Sequence, residues 1–266
     1  MSEAIHSFSD CCNQILLLFG TNQAKKGVSD KYPLGRDTEI FFWSFIVAFL
    51  LFTMGGLFSL YEGIHKIQDP HPLNHPWVAI VILLYGIVVE AYSFFACYKE
   101  VQVINKHGSL WQWIKRTHAA DLLVIFLEDL AAVMGLTFAL ISTIIAWLTG
   151  DGFWDGLGSC FIGVLLIATA IILATELKQM LIGENACSDY KELLTPLLIE
   201  IMPQASFLTI IAVQRGIDSV LLAYKLHPGD SNDLKDTIEK LNQFEAKVKL
   251  SFPEVKWQFA ELDYWN

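Results

Sequence analysis

The sequence predicts an α-helical polytopic membrane domain followed by a small α+β domain. Apolar residues make up 54% of the 266 residues, against roughly 45–50% in soluble domains. Several nearly uncharged stretches exceed the roughly 18 residues that mark a membrane-spanning helix. The chain beyond residue 185 has no such stretch and carries a higher density of charge. We therefore expect a membrane domain over 1–185 and a separate unit over 186–266.

Five segments are predicted to cross the membrane, namely 4–20, 40–63, 76–98, 119–149 and 153–182. The first is short and polar for a span, because His6, Asp10 and Asn13 lie beside its apolar run. Gly150 and Gly152 flank an aspartate between the last two spans, and this sequence predicts a tight turn.

Basic residues alternate between the connecting loops. Loops 21–39 and 99–118 each contain four Lys or Arg, whereas loop 64–75 contains only Lys66 and the turn at 150–152 contains none. Cytoplasmic loops of membrane proteins carry the excess of Lys and Arg. Both basic loops and the C-terminal unit are therefore expected to face the cytosol.

The C-terminal unit is predicted to have the order helix, strand, strand, helix, strand. Its strands are rich in β-branched and aliphatic residues or alternate in polarity, and apolar residues recur at helical spacing in the second helix. The predicted elements are 189–200, 207–213, 218–226, 233–248 and a strand that begins at Val255.

Composition and motifs argue against several classes of function. The net charge of −10 argues against nucleic acid, which selects basic surfaces. The five cysteines form no CxxC pair and indicate no disulfide framework. Neither a nucleophile elbow, a P-loop nor an HExxH motif occurs, so we expect neither an enzyme nor a resident cofactor.

His6 and Asp10 form one candidate half-site for a metal ion. They are four residues apart, which puts them on one face of a helix. An imidazole nitrogen and a carboxylate oxygen supply half of a tetrahedral zinc site, and an ionisable residue inside a span is a functional hypothesis by default. A polar contact between helices is the alternative interpretation.

Glu128 and Asp129 are adjacent acids within the long apolar run of the fourth span. Successive residues of a helix point about 100° apart, so we do not expect both side chains to face the same cavity. Either acid could complete the half-site from a facing helix. The alternative is that one of them pairs with a cation or a hydroxyl group inside the bundle.

Short sequence motifs occur in a fixed order along nearly the whole chain. They lie at 2–14, 32–35, 39–45, 61–65, 126–132, 181–184, 216–223 and 252–255. Together they resemble the cation diffusion facilitator family. The resemblance is greatest to the branch that contains the mitochondrial member of the animal zinc transporters and its bacterial relatives.

The resemblance implies six spans, a cytosolic ferredoxin-like domain, a homodimer and exchange of metal for protons. It also implies a transport site built from two residues four apart on the second family helix and two on the fifth. In this chain His6 and Asp10 match the first pair, and Asp129 matches the second member of the other pair.

The chain departs from the family pattern at two points. Ile125 stands four residues before Asp129, and an isoleucine cannot bind metal. The missing ligand could be Glu128, water or Asn13. The first family helix is also absent, so the segment 4–20 is expected to be the second one. The tail has no His/Asp cluster and is interpreted as a dimerisation module.

We therefore expect zinc efflux by proton antiport across a bilayer, with a bacterial inner membrane as the expected location. A histidine ligand favours Zn²⁺ over Mn²⁺, which prefers oxygen donors, and Fe²⁺ and Co²⁺ are further candidate ions. The alternative hypothesis is a truncated, non-transporting structural or regulatory membrane protein of the same fold.

Overall fold

A computed structural model describes residues 2–71, 76–104, 109–183, 185–186, 190–229 and 234–263. Within these ranges, the side chains of residues 2–10, 104 and 116 lie outside the description. The chain forms two compact units. The first contains the residues up to 23 together with 39–178, and the second contains 24–38 together with 179–266.

The first unit is helical. Its elements are α1 (Ser2–Ala24), α2 (Glu39–Leu50), a π-helical segment (Leu51–Leu57), α3 (Phe58–Gln68), α4 (Pro76–Ile104), α5 (Leu110–Arg116), α6 (Ala120–Thr149) and α7 (Phe153–Ile182). The short helix α5 was not predicted, because its seven residues lie in a loop identified by charge alone.

Four helices among the described residues are long and apolar enough to cross a membrane, at Glu39–Gln68, Pro76–Val103, Ala120–Thr149 and Phe153–Ile182. They coincide with four of the predicted spans. Two of them run several residues past the predicted ends, because the helical backbone continues beyond the apolar residues. Helix α1 is not among the four, so a fifth span at 4–20 stays a prediction.

The helix that begins at Glu39 changes its hydrogen bonding at the π-helical segment Leu51–Leu57. A π-helix widens the turn locally and is frequent at functional sites. The segment contains Gly55 and Gly56, and a Cβ atom on Gly56 would lie 2.6 Å from the side chain of Ile167 on α7. The widened turn therefore lies where this helix packs directly against α7.

Helices α3 and α7 approach each other closely along a seam of glycines. A Cβ atom on Gly63 would lie 2.5 Å from the backbone nitrogen of Cys160, and one on Gly163 would lie 2.6 Å from the backbone nitrogen of Leu60. Small residues at such interfaces let helix backbones pack tightly inside a membrane. The seam fixes which side chains of α3 face α7.

The second unit contains α8 (Tyr190–Ile201), β1 (Ser206–Gly216), β2 (Ser219–His227), α9 (Leu234–Ser251) and β3 (Val255–Leu262). The sheet order is β1-β2-β3, with β1 and β2 antiparallel and β2 and β3 parallel. The fold class is thus confirmed as a helical membrane domain with a C-terminal α+β domain.

The two helices of this unit cover one face of the sheet. Leu194 and Leu198 of α8 and Phe244 of α9 are fully buried against Leu222 of β2. The Tyr190 hydroxyl donates a hydrogen bond to Glu254 over 3.3 Å. Burial and then the nearby Glu254 carboxylate raise the pKa of Tyr190 to about 12, so the phenol remains a neutral donor.

The loop between α1 and α2 belongs to the second unit. Asp37 accepts hydrogen bonds from the Ser219 hydroxyl over 2.6 Å and from the Lys256 ammonium group over 3.3 Å. A Cβ atom on Gly216 would lie 2.9 Å from the Asp37 side chain. The end of the β1–β2 hairpin therefore holds this loop by direct contact.

Gly163→Val should lower the thermal stability of the detergent-solubilised chain. The larger side chain cannot fit against the Leu60 backbone, and overpacking of this kind typically costs about 1–3 kcal/mol. Gly27→Val is the matched control, because no atom lies within 4 Å of a Cβ at that position. Equal melting temperatures for the two variants would contradict the close packing of α3 on α7.

Candidate metal site

Helix α6 carries two acidic side chains into the interior of the first unit. Glu128 and Asp129 are each 6% exposed, and Leu127, Ala131 and Ala132 beside them are buried as well. A carboxylate in such surroundings is costly unless polar groups compensate its charge. The groups that contact these two acids therefore indicate how the site is organised.

Glu128 faces helix α1. The side-chain amide of Asn13 donates a hydrogen bond to Glu128 Oε1 over 2.6 Å, and Asn13 is fully buried. The other end of the amide, Asn13 Oδ1, is buried without a hydrogen-bond partner among the described residues. Because the Asn13 nitrogen faces the carboxylate, its carbonyl oxygen remains available as an acceptor or a ligand.

Asp129 faces helix α4 instead. The Ser93 hydroxyl donates a hydrogen bond to Asp129 Oδ2 over 2.7 Å. The two adjacent acids thus contact different helices, in agreement with the angle of about 100° between successive residues.

One face of α1 leads from Asn13 towards His6 and Asp10. The buried residues of α1 in the described range 11–24 are Asn13, Leu17 and Gly20, which recur every three or four residues. Positions 6 and 10 precede Asn13 by seven and three residues on the same helix, so helical geometry puts them on this face. The side chains of His6 and Asp10 lie outside the described residues.

Within the described residues, no three His, Cys, Asp or Glu side chains lie close enough to hold a metal ion. A site that joins His6 and Asp10 to Glu128 or Asp129 therefore stays a prediction.

Sequence reasoning missed Ser93 as the partner of Asp129. The signal that could have found it is that Ser93 is the single serine of the largely apolar helix α4.

Asn13→Leu should destabilise the chain by about 1–3 kcal/mol, because Glu128 would keep its buried carboxylate without the amide donor. Gln14→Leu is the matched control, since Gln14 is exposed on the neighbouring position of α1. Thermal unfolding in detergent measures both variants.

A double variant, Asn13→Leu with Glu128→Leu, should recover part of the lost stability, because it removes both polar partners at once. If Asn13→Leu and Gln14→Leu unfolded at the same temperature, the contact between α1 and α6 would not stabilise the bundle.

Comparison with known proteins assigns the helical part of the chain to a family. The model of the cation efflux transmembrane domain matches residues 1–182. The mitochondrial proton-coupled zinc antiporter SLC30A9 of Xenopus laevis is 32% identical over 74% of this chain and 36% of its own length. Metal tolerance protein C4 of Arabidopsis thaliana is 29% identical over 69% of this chain and 40% of its own length.

A more distant relative is the probable zinc transporter MSC2 of Saccharomyces cerevisiae, with 28% identity over 65% of this chain and 22% of its own length. The chain thus spans well under half the length of these relatives. Because the cation efflux domain accounts for residues 1–182 and four helices there can cross a membrane, the chain is an integral membrane protein of the cation diffusion facilitator family.

Proposed function

We propose that this protein transports a divalent metal cation, with zinc as the favoured ion, across a bilayer in exchange for protons. One observation carries the proposal: the Asn13–Glu128 hydrogen bond brings a buried carboxylate of α6 against the face of α1 that includes positions 6 and 10. The relatives named as zinc transporters support the same function and disfavour the alternative of a non-transporting protein.

The proposed cation ligands are His6 and Asp10 of α1 with Asp129 of α6, which matches the family position, and Glu128 is the alternative acid from α6. Asn13 Oδ1 is proposed as a further oxygen donor, since it is buried, lacks a hydrogen-bond partner among the described residues and lies beside Glu128. It would compensate for Ile125, which has no donor atom. A mixed set of one imidazole and several oxygens accepts Zn²⁺ and, less selectively, Mn²⁺, Fe²⁺ or Co²⁺.

Proton coupling follows from the chemistry of this ligand set. A metal ion needs a neutral imidazole and ionised carboxylates, so protons and the cation compete for the same groups. Protonation on one side of the bilayer therefore releases the metal there, and deprotonation on the other side restores the site. The protein contributes the low-dielectric surroundings that make this competition strong.

The antiporter relatives are named mitochondrial, and they give no support to a bacterial inner membrane. The basic loops 21–39 and 99–118 and the C-terminal unit are proposed to face the cytosol or the compartment equivalent to it. No enzymatic reaction is proposed.

Zinc flux in sealed vesicles tests the proposed site. With a zinc-sensitive dye inside and an imposed pH gradient, Asp10→Asn and Asp129→Asn should abolish the flux, because each removes a charged ligand. Glu100→Gln is the control, since Glu100 is an exposed acid on α4. Full transport in either ligand variant would exclude the proposed site.

Ser93→Ala should have a smaller effect in the same assay. Ser93 orients Asp129 by a hydrogen bond, and the loss of such an outer partner typically costs roughly 10- to 100-fold in metal affinity. The expected result is a higher zinc concentration for half-maximal flux with little change in the maximal rate. If the dependence of the flux on zinc concentration is unchanged in Ser93→Ala, Ser93 does not support the metal site.

The proposed assembly is a homodimer through the sheet of the second unit. Helices α8 and α9 cover one face of this sheet, and the opposite face carries apolar residues in register across the strands. Ile211, Ala223 and Phe259 form one row, and Ile211 and Phe259 are 54% and 52% exposed. A contiguous apolar patch of this kind marks an interaction surface.

Phe259→Lys should convert a dimer to a monomer, because it puts a charge at the centre of this face. Light scattering coupled to gel filtration measures the protein mass after subtraction of the detergent. Leu250→Lys is the control, since Leu250 is a highly exposed leucine on α9. If the Phe259→Lys variant keeps the mass of a dimer, the dimer interface is not on this face of the sheet.

A further inference from the structure

A cavity of about 220 Å³ lies between α3, α4, α6 and α7. Its α6 wall starts two residues after Asp129 and follows one helical face, formed by Ala131, Ala132, Gly135, Leu136, Ala139 and Thr143. Most of these side chains are small, which leaves the space open. From Asp129 to Thr143 the helix rises about 21 Å, so the cavity extends from the neighbourhood of the candidate site towards one end of the bundle.

A charged cluster lies at that end. The Lys66 ammonium group is 3.1 Å from Glu62 Oε1 on the same helix and 3.0 Å from Asp155 Oδ2 on α7. It also donates a hydrogen bond to the Ser159 hydroxyl over 3.3 Å. Thr143 of α6 donates to Asp155 Oδ1 over 3.3 Å. The cluster therefore connects α3, α6 and α7, and all five residues line the cavity.

This arrangement differs from that of an ordinary lysine at a helix end. Such a lysine usually extends its ammonium group to water. The ammonium group of Lys66 instead contacts oxygen atoms on two helices, and the Lys66 side chain is 34% exposed. The glycine seam between α3 and α7 holds these partners opposite each other. Glu62 Oε2 is buried without a hydrogen-bond partner in the part of the chain that the structure describes.

We propose that Lys66 is a gating residue whose ion pairs with Glu62 and Asp155 restrict access to the α6 cavity from this end, an inference that rests on the proposed function. The cluster lies where α3 ends and α7 begins, next to loops with few basic residues. By loop charge this is the side opposite the cytosol. The Lys66, Glu62 and Asp155 side chains are all partly exposed, so their ion pairs can break and re-form during transport.

Thiol labelling tests the gate without any need for zinc flux. Ala139→Cys is introduced on the cavity wall in a background that has Ser at positions 11, 12, 97, 160 and 187. The labelling reagent is a charged, membrane-impermeant methanethiosulfonate. It is added to vesicles whose exposed side is the one opposite the cytosol. The introduced thiol should react slowly while Lys66 is present.

Lys66→Met should raise the labelling rate about tenfold or more, because the population with an open cavity increases. Lys178→Met is the matched control, an exposed lysine on α7 away from the cluster, and it should leave the rate unchanged. A rate in Lys66→Met equal to that of the parent would overturn the proposal.

Glu62→Gln covers the case in which Lys66→Met fails to assemble, as judged by gel filtration. It leaves the Lys66–Asp155 contact in place and should raise the labelling rate by a smaller factor, and no rise would overturn the gate. The two proposals remain distinguishable. If the labelling rate depends on Lys66 but no zinc flux is measured, only the transport function is rejected. If proton-driven zinc flux is measured but the labelling rate does not depend on Lys66, only the gate is rejected.

Discussion

The hydrogen bond between Asn13 and Glu128 joins residues 115 positions apart and makes the candidate site possible. A carboxylate inside an apolar bundle needs compensating polar groups, and α1 is the helix that supplies an amide to Glu128. Helix α1 is not among the four described helices that qualify as spans. Asn13 supplies its polar contact with α6, and α1 also packs on α2, where a Cβ atom on Gly20 would lie 2.7 Å from the Trp43 side chain.

The close approach of α3 and α7 has a different physical origin. No polar group is needed where Gly63 and Gly163 let the backbones touch, because dispersion forces between closely packed atoms supply the attraction. This contact also fixes the rotation of α3, and Lys66 consequently faces Asp155 across the interface rather than lipid. A seam of residues without side chains thus determines where a charged side chain is directed.

Much of the fold could be predicted, because the length of apolar runs and the period of the pattern are local properties. Four spans and the α–β–β–α–β order of the tail follow from them. The separation of Glu128 from Asp129 was also predictable, since it depends only on helical geometry. The Ser93–Asp129 and Lys66–Asp155 contacts were not, because each depends on how distant helices pack. The π-helical turn at Leu51–Leu57 was not predicted either.

Helix α6 links the two polar regions of the bundle. Its buried acids lie at one end of the cavity wall, and Thr143 contacts Asp155 at the other. The wall between them is lined mainly by Ala and Gly, which have too little volume to fill the space between four helices. On α6 the cavity lining from Ala131 to Ala139 carries no ionisable side chain, so a transported ion would bind weakly there and could move on, because tight binding would hold it in place. The spacing of small and charged residues on one helix is therefore consistent with a path for an ion rather than with a closed hydrophobic core.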